Sequence, residues 1–384
     1  MHNLTLSVII PVLDGAGYLP ACLNALKLSQ GREHIREVIV VDDCSSDGSA
    51  AVAEAAGATV LRTPGRMGPA AARNLGAAHA SGDLLVFIDS DVCIHPGALA
   101  RMRERFENEP DLDALIGSYD DEPAAPGFVS QYKNLMQHYV HQNGRREATT
   151  FWSGCGAVRR EVFLSVGGFD EAYRRPSIED IDLGYRLLKQ GHRIALDPAV
   201  LAKHLKRWRL TSLLHSDIFD RALPWSQLIL RSARLPNDLN VAVCQRWSAA
   251  LVVAAAGLAG ASVVWGIIPA LAAVVLLGAT ILLNRRFYGF LAAKRGWIFA
   301  LRAVPLHLAY YLYSALTFAA AAAAHPFSRR PDHPAEFSSS IPSLYEAGSA
   351  VGAVPVGAER QTNAARRSRF SLRSNSSSEI SPRA

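Results

Sequence analysis

Leu84-Leu85-Val86-Phe87-Ile88-Asp89-Ser90-Asp91 decides the reading of this chain. The five apolar residues are a buried-strand signal, and an extended backbone sends residues two apart to the same side. Asp89 and Asp91 are therefore expected to face one cation at the end of that strand. A hard divalent ion that keeps waters and takes phosphate oxygens needs only one or two protein carboxylates. Mg²⁺ or Mn²⁺ carrying a diphosphate fits that description.

Asp-x-Asp triplets also arise by chance in surface loops, so the surroundings decide. Leu6-Ser7-Val8-Ile9-Ile10-Pro11-Val12 reads as a strand stopped by proline, and Glu37-Val38-Ile39-Val40-Val41-Asp42-Asp43 as a second one ending in two carboxylates. Helical spacing occupies 18–30, 48–56 and 70–80, with a short strand at 58–62. Alternation of this kind implies a parallel sheet with right-handed crossovers, whose ligands sit beyond the carboxyl ends of the strands. Asp14, Asp42, Asp43, Asp89 and Asp91 all lie at such ends. A dinucleotide oxidoreductase is set aside, because Gly15-Ala16-Gly17 lacks the third glycine of the fingerprint.

Six motifs in order carry a resemblance: Ser7–Val12, Val40-Val41-Asp42-Asp43-Cys44-Ser45-Ser46-Asp47-Gly48-Ser49, Gly68-Pro69-Ala70-Ala71-Ala72-Arg73-Asn74-Leu75-Gly76, Asp89-Ser90-Asp91, Gly167-Gly168-Phe169-Asp170 and Glu179-Asp180-Ile181-Asp182-Leu183. Over residues 6 to about 225 the chain resembles a family 2 glycosyltransferase of the GT-A (nucleotide-diphospho-sugar transferase) fold, an α/β class with a mostly parallel sheet flanked by helices. It departs from the common pattern at Asp14, where asparagine is frequent, and at Cys44, where glycine is frequent.

The resemblance assigns the nucleoside of a sugar-nucleotide donor to the Asp42-Asp43 region, with Pro11, Arg73 and Asp89 as further donor-binding residues. Read from the residues alone, Asp42 and Asp43 either accept hydrogen bonds from base and ribose or form a solvated turn in which Ser45 or Asp47 caps the next helix. Arg73 either neutralises phosphate charge or is a plain surface arginine. Asp89 and Asp91 would hold the divalent cation. His204, where similar chains place a third ligand, either completes that site or is simply hydrogen-bonded.

Direct displacement of a nucleotide leaving group needs one carboxylate in reach of the acceptor hydroxyl. The resemblance gives that catalytic role to Asp180, with Glu179 orienting the acceptor or the base. The bland alternative is that Glu179, Asp180 and Asp182 favour the positive end of a helix. Asp182 and Trp152 are the candidate acceptor contacts, although Asp182 also suits a structural role and Trp152 a core position. One base with no second carboxylate nucleophile predicts inversion at the anomeric carbon.

The chain has 384 residues, 49% of them hydrophobic, and a formal net charge of +6. From Ser248 to Leu283 no residue is charged, which suits a hairpin of two membrane spans turning near Trp265–Pro269. A further uncharged run covers 303–324. The expected layout is a catalytic domain at 1–225, an interfacial or linker helix at 226–247, and a transmembrane region at 248–324 with spans near 248–265, 267–284 and 303–324. A disordered tail is expected over 328–384. Whether the third run spans, re-enters or lies in the interface is left open. Lys203, Lys206, Arg207 and Arg209 before the first span, and Arg285, Arg286, Lys294, Arg295 and Arg302 after the second, place the catalytic domain on the cytoplasmic face of the cell (inner) membrane. The mixture of Trp, Leu, Phe and Arg over 208–235 suits either the headgroup layer or a cap over the acceptor site.

The modest positive charge fits anionic lipid; aromatic-interleaved basic motifs for nucleic acid are missing. Cys22, Cys44, Cys93, Cys155 and Cys244 are scattered and form no Cys-x-x-Cys pair, which argues against zinc and a disulfide scaffold. No signal peptide is expected ahead of the first strand. The leading expectation is a membrane-anchored enzyme that moves a sugar from a nucleotide-diphosphate donor to a lipid, polyprenyl-phosphate or glycan acceptor. A processive polysaccharide synthase is the alternative, disfavoured because Leu205-Lys206-Arg207-Trp208 keeps only Arg-Trp of the usual Gln-x-x-Arg-Trp signature. A non-catalytic nucleotide-binding membrane scaffold is the third.

Overall fold

The strand expected at 84–88 is the fourth of eight in a computed structural model that describes residues 3–327. The tail expected to be disordered lies outside the described residues. In chain order the elements of the first half are β1 (Leu6–Val12), α1 (Leu19–Lys27), β2 (Ile35–Asp42), α2 (Ser49–Ala55), β3 (Thr59–Arg62), α3 (Pro69–His79), β4 (Leu84–Ile88), β5 (Val92–Ile94), α4 (Ala98–Asn108) and β6 (Ala114–Tyr119). Then come α5 (Phe128–Gln142), β7 (Cys155–Arg159), α6 (Arg160–Ser165), α7 (Glu179–Lys189), β8 (Ile194–His204) and α8 (Leu210–His215). A π-helical turn, Ser216–Ala222, leads into α9 (Leu223–Ser232). The sheet order is β3-β2-β1-β4-β7-β6-β8-β5.

The first four strands are parallel, as the alternating pattern implies, and β6 is parallel to β8. Strand β7 runs antiparallel between β4 and β6, and β5 antiparallel to β8, so the sheet is mixed. Every residue of β4 is buried. Leu84, Val86 and Ile88 face a core shared with α1 and α4, while Phe87 on the other face meets Phe163 and Phe169 at ring-centroid distances of 5.3 and 5.1 Å. Apolar cover on both faces is what a continuous hydrophobic strand requires.

The two departures from the family pattern have a common backbone cause. Asp14 has φ 51° and Cys44 φ 62°, the left-handed region that asparagine and glycine enter most readily. Cys44→Gly is expected to stabilise the fold by about 1 kcal/mol, because it removes a strained Cβ; a lower melting temperature would contradict this.

Among the described residues four α-helices follow α9: α10 (Val243–Trp265), α11 (Ile267–Leu283), α12 (Arg285–Arg295) and α13 (Trp297–Ala324). Among the described residues two helical stretches, Val243–Trp265 and Trp297–Phe327, are long and apolar enough to cross a membrane, with mean hydropathy 1.9 and 1.2. Helices α11 and α12 pass the same test only together, and they bend by 65° at Asn284. The third apolar helix thus starts at Trp297 and carries Pro305 inside it, rather than beginning at 303. Helix α12 turns back onto the sheet domain: Tyr132, Leu135 and Met136 of α5 share an apolar cluster with Phe287, Tyr288 and Leu291.

Candidate active site

Asp43 begins the construction of the site. Its carboxylate accepts hydrogen bonds from Thr63 Oγ1 (2.8 Å), Met67 N (2.8 Å) and Gly68 N (2.9 Å), which fixes the loop leading into α3. Gly68 sits at φ 94°, and a Cβ there would lie 2.6 Å from the Arg174 carbonyl oxygen, so only glycine closes this turn. Helix α3 therefore starts in one place, with Arg73 in its second turn. The Arg73 guanidinium is buried; Nη2 donates to Asp89 Oδ1 at 2.6 Å and Nη1 to Glu179 Oε1 at 2.9 Å. One arginine thereby joins two acidic clusters ninety residues apart, and its expected freedom to meet phosphate is replaced by a clamp on carboxylates.

Glu179 is further held by the Ser177 N–H at 2.8 Å, leaving Asp180 as the free acid at the start of α7. Asp180 accepts weakly from Ser153 N (3.3 Å) and from its own helix at Ile181 N (2.8 Å). Burial, then the negative charge of Glu179, push its carboxyl up to about 7 against the opposing pull of Arg73. Gly184 makes this placement possible: a Cβ there would meet Phe151 N at 2.3 Å, so α7 rests directly on the Thr150–Phe151 backbone.

At the end of β4, Asp91 Oδ2 lies 3.5 Å from His204 Nε2, across from β8. His204 Nδ1 is 2.8 Å from Asn134 Oδ1, so Nδ1 carries the proton and the Nε2 lone pair faces the carboxylate. Two electron-rich atoms so placed call for positive charge between them, from a proton or a cation. No group of three His, Cys, Asp or Glu side chains forms a metal cage among the described residues. Asp91 and His204, with Asp89 nearby in sequence, are the small ligand set expected of a hard cation shared with phosphate. Tyr119 stacks on His204 with ring centroids 4.5 Å apart and meets Trp152 edge-on at 4.7 Å.

A cavity of about 890 Å³ collects Arg73, Asp89, Asp91, Trp152, Glu179, Asp180 and His204. Pro11, Asp42, Asp43 and Asp182 lie outside its wall. Asp42 accepts from Ser45 N at 3.0 Å, closing the turn ahead of α2, where Asp47 accepts from Ser49 N at 3.1 Å, and Asp182 pairs with Arg186 at 2.8 Å one turn along α7. The far wall was not anticipated. There Lys133 of α5 meets Asp217 of the π-helical turn at 2.5 Å, and Tyr313 of α13 donates to the same carboxylate at 2.7 Å. Arg221, Arg246 and Tyr310 complete that side. Only the Arg-rich mixture over 208–235 hinted at it.

Sheet, Asp-x-Asp strand end and acid-headed helix thus meet at one cavity. The family model for glycosyl transferase family 2 matches residues 7–167, and a model described as the N-terminal domain of galactosyltransferase matches 134–207. The chain belongs to glycosyl transferase family 2. A protein described as an uncharacterized glycosyltransferase of Haemophilus influenzae is 31% identical over 193 residues, 48% of this chain and 62% of that protein. The pre-mycofactocin glycosyltransferase of Mycobacterium tuberculosis is 32% identical over 225 residues, 53% of this chain and 43% of that one. This chain thus spans less than two thirds of the length of either relative. An uncharacterized protein of Mycobacterium tuberculosis, 35% identical, is covered over 81% of its length. The mannosyltransferase of Pyrobaculum calidifontis, solved with GDP-Man and Mn²⁺, shares the fold at a TM-score of 0.50 and 18% identity, over 86% of this chain and 89% of that one.

Proposed function

We propose that this chain is an inverting glycosyltransferase that moves a sugar from a nucleotide-diphosphate donor to an acceptor hydroxyl at the cytoplasmic face of the membrane. The observation that carries the reading is Asp180, one cavity-facing carboxyl with a raised pKa in the same chamber as Asp89 and Asp91. In the reaction the acceptor oxygen bonds to the anomeric carbon, the bond from that carbon to the diphosphate breaks, and Asp180 takes the hydroxyl proton. Glu179, tied to Arg73 and Ser177, is a positioning residue. Among the described residues the other carboxylates of the cavity are partnered, Asp89 and Glu179 by Arg73, Asp91 by His204, Asp217 by Lys133 and Asp220 by His215, which supports a single displacement with inversion.

Asp91 and His204, with Asp89, would hold a Mg²⁺ or Mn²⁺ ion. Such an ion, when bound, neutralises diphosphate charge. The Mn²⁺ and GDP-Man bound by the Pyrobaculum calidifontis enzyme support this choice of cofactor and donor class. The cytoplasmic assignment is supported by the basic residues flanking the α10–α11 hairpin.

The test is thermal shift of the detergent-solubilised protein against a panel of nucleotide diphosphates and sugar nucleotides with Mn²⁺, Mg²⁺ or EDTA. A metal-dependent shift for one base is expected. Asp91→Ala is expected to keep the melting temperature of the unliganded protein within a few degrees and to lose that shift. A full shift in the variant removes Asp91 from the cation site.

A further inference from the structure

The cavity wall carries as many carboxylates as Lys and Arg side chains, but not every cation is paired in place. Asp89 and Glu179 share Arg73, Asp91 faces His204, and Asp217 holds Lys133. Arg221 and Arg246 line the same chamber, and among the described residues neither has an ion-pair partner; the Arg246 Nε is buried with no acceptor. Trp208, 7% exposed on the same wall, also keeps a buried indole N–H without a partner. Arg221 is near enough to Asp180 for its charge to act on that carboxyl.

These donors sit at a definite level. Trp247 and Trp265, exposed near the two ends of α10, are separated by about 27 Å of helix, close to the thickness of a bilayer's hydrocarbon core. Tryptophans so spaced mark the two membrane interfaces. Arg246, next to Trp247, is therefore at headgroup depth. Ala249 and Ala250, three and four residues further along α10, and Phe318 of α13 add apolar surface to the same wall.

We infer that the membrane end of the cavity binds the phosphate of an amphiphilic acceptor, a lipid whose headgroup joins a phosphate to a free hydroxyl. Arg221 and Arg246 take the phosphate oxygens, since guanidinium forks match that geometry. The tail leaves between α10 and α13, and the hydroxyl is presented to Asp180. The lipid phosphate is unchanged in the reaction: its hydroxyl oxygen gains the sugar, the donor diphosphate leaves, and the proton passes to Asp180. A hydroxyl is specified because an ionised phosphate nucleophile would need no base. The inference rests on the proposed transferase reading for the reaction, but its binding test stands apart from it.

The full chain in neutral detergent is titrated with lysophosphatidylglycerol, lysophosphatidylcholine and inorganic phosphate, with binding read by native mass spectrometry. The nucleotide-diphosphate and Mn²⁺ thermal shift is recorded on the same samples. Lysophosphatidylglycerol is expected to bind most tightly, and Arg221→Gln with Arg246→Gln to weaken it by roughly tenfold or more while the nucleotide shift persists. Equal binding of the two lysolipids, or an unchanged affinity in the double variant, overturns the inference. Inorganic phosphate binding as tightly as the lipid overturns its membrane source. A nucleotide response without a selective lipid response sinks this inference alone, and the reverse result sinks the transferase reading alone.

Discussion

Asp180→Asn is expected to bind donor and metal as the native chain does and to transfer sugar about 10²–10⁴-fold more slowly, the range for loss of a positioned base. The amide keeps the shape and the hydrogen bond from Ile181 to its one oxygen, gives up the weaker one from Ser153, and cannot accept the proton. The native rate should rise with pH through about 7, as Asp180 ionises, and then level off; the residual rate of the variant should lack this step. Stability should move the other way. A carboxyl whose folded pKa is raised contributes stability that is lost as pH rises through that value, so above pH 7 the variant should melt higher than the native protein. Transfer within tenfold of native, or an unaltered pH profile, would remove Asp180 from the chemistry.

Arg73→Met should act on the fold as much as on the rate. The substitution leaves Glu179 buried with its charge uncompensated and Asp89 without its 2.6 Å partner. Breaking a buried pair in this way costs about 3–5 kcal/mol, a fall in melting temperature of roughly 10 °C for a domain of this size. Arg73→Lys should rescue little, because one ammonium cannot reach both carboxylates with the guanidinium's fork. A melting temperature within two or so degrees of native for Arg73→Met would show that the clamp is not structural.

The first four strands and their helices were legible because each has a clean period and a turn signal after it, and Asp89, Asp91 and Asp180 because they stand at element ends. Arg73 was legible as a position but not as a clamp, since nothing local says which carboxylates will surround it. Helix α5 was missed altogether. Phe128, Tyr132, Leu135, Met136 and Tyr139 do recur at helical spacing, but Ser130, Gln131, Lys133 and Asn134 are buried beside them and blur the amphipathic pattern. Those polar groups are buried because each meets a distant partner: Ser130 the Trp208 backbone, Gln131 Arg295, Lys133 Asp217 and Asn134 His204. A pattern of one helix cannot disclose contacts supplied by β8, the loop after it, the π-helical turn and α12. Asp42 and Asp43 were visible as an acidic strand end, yet their hydrogen bonds go to the protein's own loops, which only the folded backbone reveals.

The chain from Lys133 through Asp217 to Tyr313 runs from a helix of the sheet domain to a helix of the apolar segment. The two parts belong to one compact unit, and Tyr132 on the same helix is buried beside Phe287. The apolar segment is thus no exchangeable anchor. Cutting the chain ahead of Val243 would strand a buried aspartate without its tyrosine and uncover an aromatic face, so a soluble version of this protein would require α5 to be redesigned, and a graft of its membrane segment onto a relative would have to carry α5 along.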